Sequence, residues 1–530
     1  MSTSCSDLLD LEDVWPDRAF YRPGESAHLC LLVCNRAERP VTVSCWLTLS
    51  WLDQELSSES WSLEVQPGRQ RFVLPLALPR TAFRGYGVDV KVCDEWGQSL
   101  ACKSTALDVL ENWTQAPRYG FLADFAPEAP EAEEVGDALA RFHLNLVQFY
   151  DWMWRHYVLV PPEEEFADAL RRRISLRVVR ERVAACRARG IAAMGYAAVY
   201  GAEPEYALEH PDEMLYDAEG EPYSLEKLFY IMNIHADNPW RERILREMAR
   251  AVREVSFDGL HLDQYGFPKE NVFGPAPERV PYDLAEDFPA FIAEARQAIR
   301  VENPEARVIF NLVENWPVQT VAPSTPDAVY IEVWPPYTAY ADLQRLLLDA
   351  RRLAGGKQVI LAAYLSPLQN AQGEELLRAE AATRLASAAI WANGGFHLVV
   401  GEREGILSGA YYPSYERMRS EFAGVMRRLY DFVVRYENVL SDGRLETVPA
   451  AEVGERVRLR GVGLSGRGEG GGVWGILRRM PQCITLSLIN LTGVTDARWN
   501  VPQAVASVVR DVCLEVRVEG VVVGVYAATP

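Results

Sequence analysis

The chain lacks a basic N-terminal stretch followed by a long apolar run, and nowhere does it hold about 18 uninterrupted apolar residues. Neither a secretory leader nor a membrane-spanning helix is legible in it, so a cytoplasmic protein with no membrane partner is the expectation; secretion would need a leader preceding this sequence. Paired cysteines are also missing. Nine thiols, at positions 5, 30, 34, 45, 93, 102, 186, 483 and 513, form an odd set with no C-x-x-C spacing and no histidine at ligand distance. Free, mostly buried thiols are expected, with no metal centre. Positive charge is scarce as well: 54 Lys and Arg stand against 74 Asp and Glu, a net charge of −20. A phosphate backbone would be repelled by most of such a surface, which argues against nucleic acid and for a neutral ligand.

What is present is enough for several cores. A chain of 530 residues exceeds the limit of one hydrophobic core, and two to four domains are expected. From about Leu11 to Leu110, short alternating runs such as AHLCLLVCN and VTVSCWLTLSWL are separated by turn clusters, among them Arg22-Pro23-Gly24-Glu25. Seven or so strands in that length predict an immunoglobulin-like β-sandwich over residues 1–113. After Trp113, apolar strands alternate with Arg- and Glu-rich amphipathic segments. Eight candidate strands (119–125, 144–150, 191–199, 257–263, 307–312, 327–332, 358–364 and 395–400) predict a (β/α)8 TIM barrel within 114–440. A long helix over 415–439 should pack on it. Strand patterns return beyond Arg444, including VCLEVRVEGVVVGVYA, and predict a small antiparallel all-β domain over 441–530.

One decapeptide carries the functional signal. FDGLHLDQYG, Phe257 to Gly266, reads as a buried strand interrupted by Asp258, His261 and Asp263, more ionisable groups than a core strand needs. Asp263 ends the apolar run, and the carboxyl ends of barrel strands are where such folds place their chemistry. A lone aspartate there could equally cap the next turn. Glu332 shifts the balance, because it ends the sixth predicted strand, two places around the barrel from the fourth. A pair of carboxylates, one protonated and one ionised, is what glycosidic bond cleavage uses. The other strand ends offer Tyr150, Asp151, Trp152 and His156 after the second, Gln264 and Tyr265 after the fourth, Asn311 on the fifth, Trp334 after the sixth and Glu402 after the eighth. Aromatics interleaved with acids and amides describe a pocket for hydroxyl-rich rings. Asp258 and His261 are read as structural or supporting groups.

Several motifs, in order, resemble glycoside hydrolase family 66, the family of endo-dextranases and cycloisomaltooligosaccharide glucanotransferases. They are FYRPGE, PRYGF, QFYDWMWRHY, AMGYAAVYGA, FDGLHLDQYG, IEVWP and GAYYPS leading into YDFVVRYENVL. The resemblance implies a sandwich, a catalytic barrel and a C-terminal β-domain. It places Asp263 at the nucleophile and Glu332 at the acid/base position of a retaining mechanism, and Tyr150, Asp151, Trp152 and Asn311 at glucose-contacting positions. It implies an α-1,6-glucan substrate (dextran or isomaltooligosaccharides), no cofactor and a monomer. Met153 and Trp154 depart from the family's more usual YDWH pattern. Relatives that cyclise carry a long carbohydrate-binding insertion, for which no segment here is long enough, so simple hydrolysis is the expectation. Transfer or cyclisation on the same substrate, or non-catalytic α-glucan binding, are the alternatives.

Overall fold

The computed structural model describes residues 9–530, so Cys5 lies outside the described residues. The other eight cysteines are free thiols. All eight predicted barrel strands form: Tyr119–Leu122, Leu146–Phe149, Ala192–Ala198, Gly259–Asp263, Arg307–Val313, Ala328–Glu332, Val359–Ala362 and Phe396–His397. They pair in sequence order in one parallel sheet that is nearly closed. The strands are short and apolar because both faces are covered, one by barrel interior and one by helices. Gly259 is required by the fit: a Cβ there would lie 2.2 Å from the Arg307 carbonyl on the next strand.

The amphipathic segments between the strands form helices. Pro239–Val255 begins at Asn238, whose side chain accepts from Trp240 N, with proline at the first helical position. Leu284–Glu302 begins in the same way at Asp283, which accepts from Ala285 N. The helix expected over 415–439 is shorter, Ser420–Arg435, and a separate turn follows at Glu437–Leu440. Its predicted first turn is instead occupied by Glu416–Arg417, which pairs with Gly405–Ile406.

Ahead of the barrel, seven antiparallel strands form a three-stranded and a four-stranded sheet around a single apolar cluster. This unit is tied to the barrel by Arg118, whose buried guanidinium meets Asp108 at 2.8 Å and Glu437 at 2.7 Å. Beyond the barrel, Val473–Met480 and Cys483–Asn490 form a hairpin, and Val457–Arg460 pairs with Cys513–Val516. Two features here differ from expectation. A helix, Ala450–Arg456, sits among the strands, and of the run VCLEVRVEGVVVGVYA only Cys513–Val516 is a strand. Val521, Val523 and Val525 are 93%, 99% and 85% exposed. Their β-branched side chains suit a strand, but among the described residues no neighbouring strand or packed face pairs with them.

Candidate active site

A cavity of about 580 Å³ opens at the carboxyl ends of the barrel strands. Asp263 ends the fourth strand, in register with Ala198 of the third, and Glu332 ends the sixth, in register with Val313 of the fifth. Asn311 lies between them on the fifth strand. Its side-chain nitrogen donates to Asp263 Oδ1 at 2.7 Å and to Glu332 Oε2 at 2.9 Å. The two hydrogens of one amide nitrogen diverge by about 120°, so the acceptor oxygens stand about 5 Å apart.

The two carboxyls have different surroundings. Asp263 accepts a second bond from the Tyr196 hydroxyl at 2.7 Å. Burial raises its pKa, while the bonds from Tyr196 and Asn311 act in the opposite sense and favour the ionised form. Glu332 is 7% exposed, and burial, then the charge of Asp263, pushes its pKa up to about 7. One group is thus better equipped to carry charge and the other to hold a proton.

Around this pair the cavity is walled by tyrosines. Tyr150 stacks on Tyr412 at 4.4 Å, and Tyr364 and Tyr330 hydrogen-bond to the Tyr412 hydroxyl at 3.3 and 3.1 Å. Asp151 lines the cavity with φ of +48° and lies 3.3 Å from Arg172; burial pushes its pKa up to about 6. His156, Tyr265 and Trp334 line it too. Gln264 reaches the wall, but its amide is fully engaged with Tyr200, Gly266, Asn311 and Trp316 and acts as framework. The side-chain oxygens of Gln148, Tyr265 and Asn311 are buried without a protein partner. His261 stands beneath, its Nδ1 3.0 Å from the Tyr119 hydroxyl, and burial lowers its pKa to about 3, so it is neutral and supportive as read. Asp258 accepts from Ala193 N and pairs with Arg187, a structural role.

Two expected binding residues are placed elsewhere. Trp152 is fully buried, its ring edge-on to Phe257 at 4.8 Å and its Nε1 donating to the Tyr196 carbonyl at 3.1 Å. It packs behind the wall and offers no face to a ligand; the next two residues, Met153 and Trp154, line the cavity instead. Glu402 is also buried, and accepts from Ala123 N and Asp124 N at 3.2 and 2.9 Å. It ties the end of the first strand to the eighth. Burial, then the nearby charge of Asp124, pushes its pKa up to about 8.

Sequence reasoning overlooked Tyr196, Tyr364 and Tyr412. Tyr196 had a signal, as the one large polar residue in the otherwise small and apolar run AAMGYAA. Tyr412 lies in GAYYPS, but its direction depends on a loop whose path no periodicity reports. Among the described residues no group of three or more His, Cys, Asp or Glu is placed to hold a metal ion.

A near-closed parallel barrel with a carboxylate pair above its mouth defines a TIM-barrel enzyme. Residues 16–530 match the model of glycosyl hydrolase family 66, and the chain belongs to that family of glycoside hydrolases. A cycloisomaltooligosaccharide glucanotransferase of Niallia circulans is 24% identical over 92% of this chain, which spans 64% of that protein's length. A dextranase of Streptococcus salivarius is 23% identical over 86% of this chain and 62% of its own. The fold matches that of a Paenibacillus sp. cycloisomaltooligosaccharide glucanotransferase, solved with cycloisomaltoheptaose. That comparison has a TM-score of 0.88 at 22% identity and covers 96% of this chain and 92% of the other.

Proposed function

We propose that this protein is an endo-acting, retaining glycoside hydrolase that cleaves α-1,6-glucosidic linkages of dextran or isomaltooligosaccharides by double displacement. The observation that carries the proposal is the Asn311 bridge, which sets Asp263 and Glu332 about 5 Å apart. At that spacing a water does not fit between the carboxylate and the sugar, so the carboxylate itself attacks. Glu332, protonated near neutral pH, donates to the departing glycosidic oxygen while Asp263 bonds to the anomeric carbon. Glu332, now ionised, then takes a proton from water as that water attacks the same carbon and frees Asp263. The name of the Streptococcus relative supports the substrate class. The tyrosine wall suits the apolar faces of sugar rings.

Transfer or cyclisation is the second reading, favoured by the names of the glucanotransferase relatives. The missing insertion does not separate the two, because this chain covers 92% of a solved glucanotransferase chain. Product analysis on linear dextran tests both readings. Linear isomaltooligosaccharides with reducing ends support hydrolysis, and cyclic products without them support cyclisation. No change in the polymer would reject the substrate class.

A further inference from the structure

His156 is held in the cavity wall by a single carboxylate. Glu203 accepts from His156 N with both oxygens, at 3.0 and 3.1 Å, and its Oε1 lies 2.9 Å from His156 Nδ1. Both residues are buried. Glu203 occupies the cap position of the turn Pro204–Ala207, yet its side chain caps nothing there. Its hydrogen bonds to other residues are all directed at His156. The imidazole is further fixed by Phe229, 4.2 Å away and tilted by 55°, and by Tyr196, edge-on at 6.4 Å. With Nδ1 given to Glu203, Nε2 is the ring nitrogen left for a ligand in the cavity that His156 lines.

The charges facing this ring are mostly negative. Glu203 comes from the turn after the third strand, Asp151 from the loop after the second, and Asp263 from the end of the fourth, while Tyr196 and Tyr265 are neutral. The nearby cations are engaged elsewhere. Arg155 lies over Trp154 and bonds the Trp154 and Ala167 carbonyls, and Arg172 is paired with Asp151 and Asp168. We propose that Glu203 is a positioning residue that keeps His156 an imidazolium, so that its Nε2–H donates to a hydroxyl of the glucosyl unit held beside Asp263. This rests on the glycosidase reading. The arrangement supplies a positive group to a cavity holding Asp151, Asp263 and Glu332, and so favours the ionised form of Asp263.

Burial alone would lower the pKa of His156, but the charge and hydrogen bond of Glu203, with Asp151 and Asp263 behind them, outweigh it and leave it raised. The ring therefore keeps its charge to a higher pH than a free imidazole and loses it as pH rises through that raised value. Glu203→Gln removes the strongest opposing influence and leaves burial against the smaller ones of Asp151 and Asp263. In nitrogen–proton correlation spectra of the seven histidines, assigned with His156→Gln, the unmodified enzyme should show a His156 midpoint above the usual value of about 6.5. Glu203→Gln should bring it below that value, and Glu203→Asp should restore part of the rise. In parallel, KM for dextran in Glu203→Gln should be close to normal at acid pH. Between the two midpoints, where only the unmodified ring is charged, it should stand about tenfold above normal, the scale of one charge-assisted hydrogen bond, with kcat changing less, and the difference should close above the higher midpoint. A wild-type His156 midpoint at or below 6.5 would overturn the proposal, as would a loss in Glu203→Gln that is equal at every pH. If the unmodified enzyme leaves dextran intact, the glycosidase reading fails, and the His156 midpoint still decides whether Glu203 holds the ring charged.

Discussion

Asp263 and Glu332 are bridged by one nitrogen, the side-chain amide of Asn311, at 2.7 and 2.9 Å. The bridge fixes their separation and supplies both with a donor that favours ionisation. Burial acts against it at both, and Glu332 also feels the charge of Asp263. Asn311→Ala should keep the fold and lower kcat by about 10²- to 10³-fold, the usual cost of losing a preorganised donor at a reacting centre. A loss confined to KM would place Asn311 outside the chemistry.

Glu332 sets the alkaline limit. Its carboxyl must begin protonated, so kcat/KM should fall as pH rises through about 7. Stability should follow the same group. Because its pKa in the folded protein lies above the ordinary value of 4.5, its neutral form favours the fold at low pH, and that contribution is lost as pH rises towards and past 7. Glu332→Gln should therefore melt higher than the unmodified enzyme at pH 8 and at about the same temperature at pH 4. A melting difference independent of pH would contradict the assignment.

Tyr196 donates to the other oxygen of Asp263, at 2.7 Å. Tyr196→Phe removes that donor and little volume. Activity should drop by about 10- to 100-fold, on the scale of a hydrogen bond to a charged group, with unchanged melting. Activity equal to that of the unmodified enzyme would remove Tyr196 from the site.

Trp152 and Glu402 should behave as structural groups. Trp152→Ala should destabilise by about 3–5 kcal/mol through the cavity it leaves. Glu402→Gln should be well tolerated, since the carboxyl, with its pKa near 8, is largely neutral at pH 7, and an amide oxygen can still accept from Ala123 and Asp124. Glu402→Ala should cost about 1–3 kcal/mol by stranding those two N–H groups. Differential calorimetry measures all three. A rise in KM without a fall in melting temperature, in any of them, would return that residue to the binding surface.

The barrel was legible because its signal is local. Each strand is a short, largely apolar run, and Asp263 and Glu332 close two of them with Asn311 near the end of a third, so sequence order alone places them together. Trp152 and Glu402 were misjudged because position after a strand does not say which way a loop side chain turns. Trp152 turns inward onto Phe257, and Glu402 turns onto the first strand. Glu203 was invisible for a related reason. It is 47 residues from His156, and only the folded loops after the second and third strands bring them together. At the C-terminus, the valine-rich run has the composition of a strand but, among the described residues, no neighbour to pair with, and composition does not report pairing.

The central claim is double displacement at Asp263 with Glu332 as acid/base. It is tested most directly by proton NMR of the first anomer released from a linear α-1,6-glucan, recorded before mutarotation. Early accumulation of the α-anomer is predicted. First appearance of the β-anomer would contradict the claim, because it requires a water between carboxylate and sugar that the Asn311-bridged spacing leaves no room for.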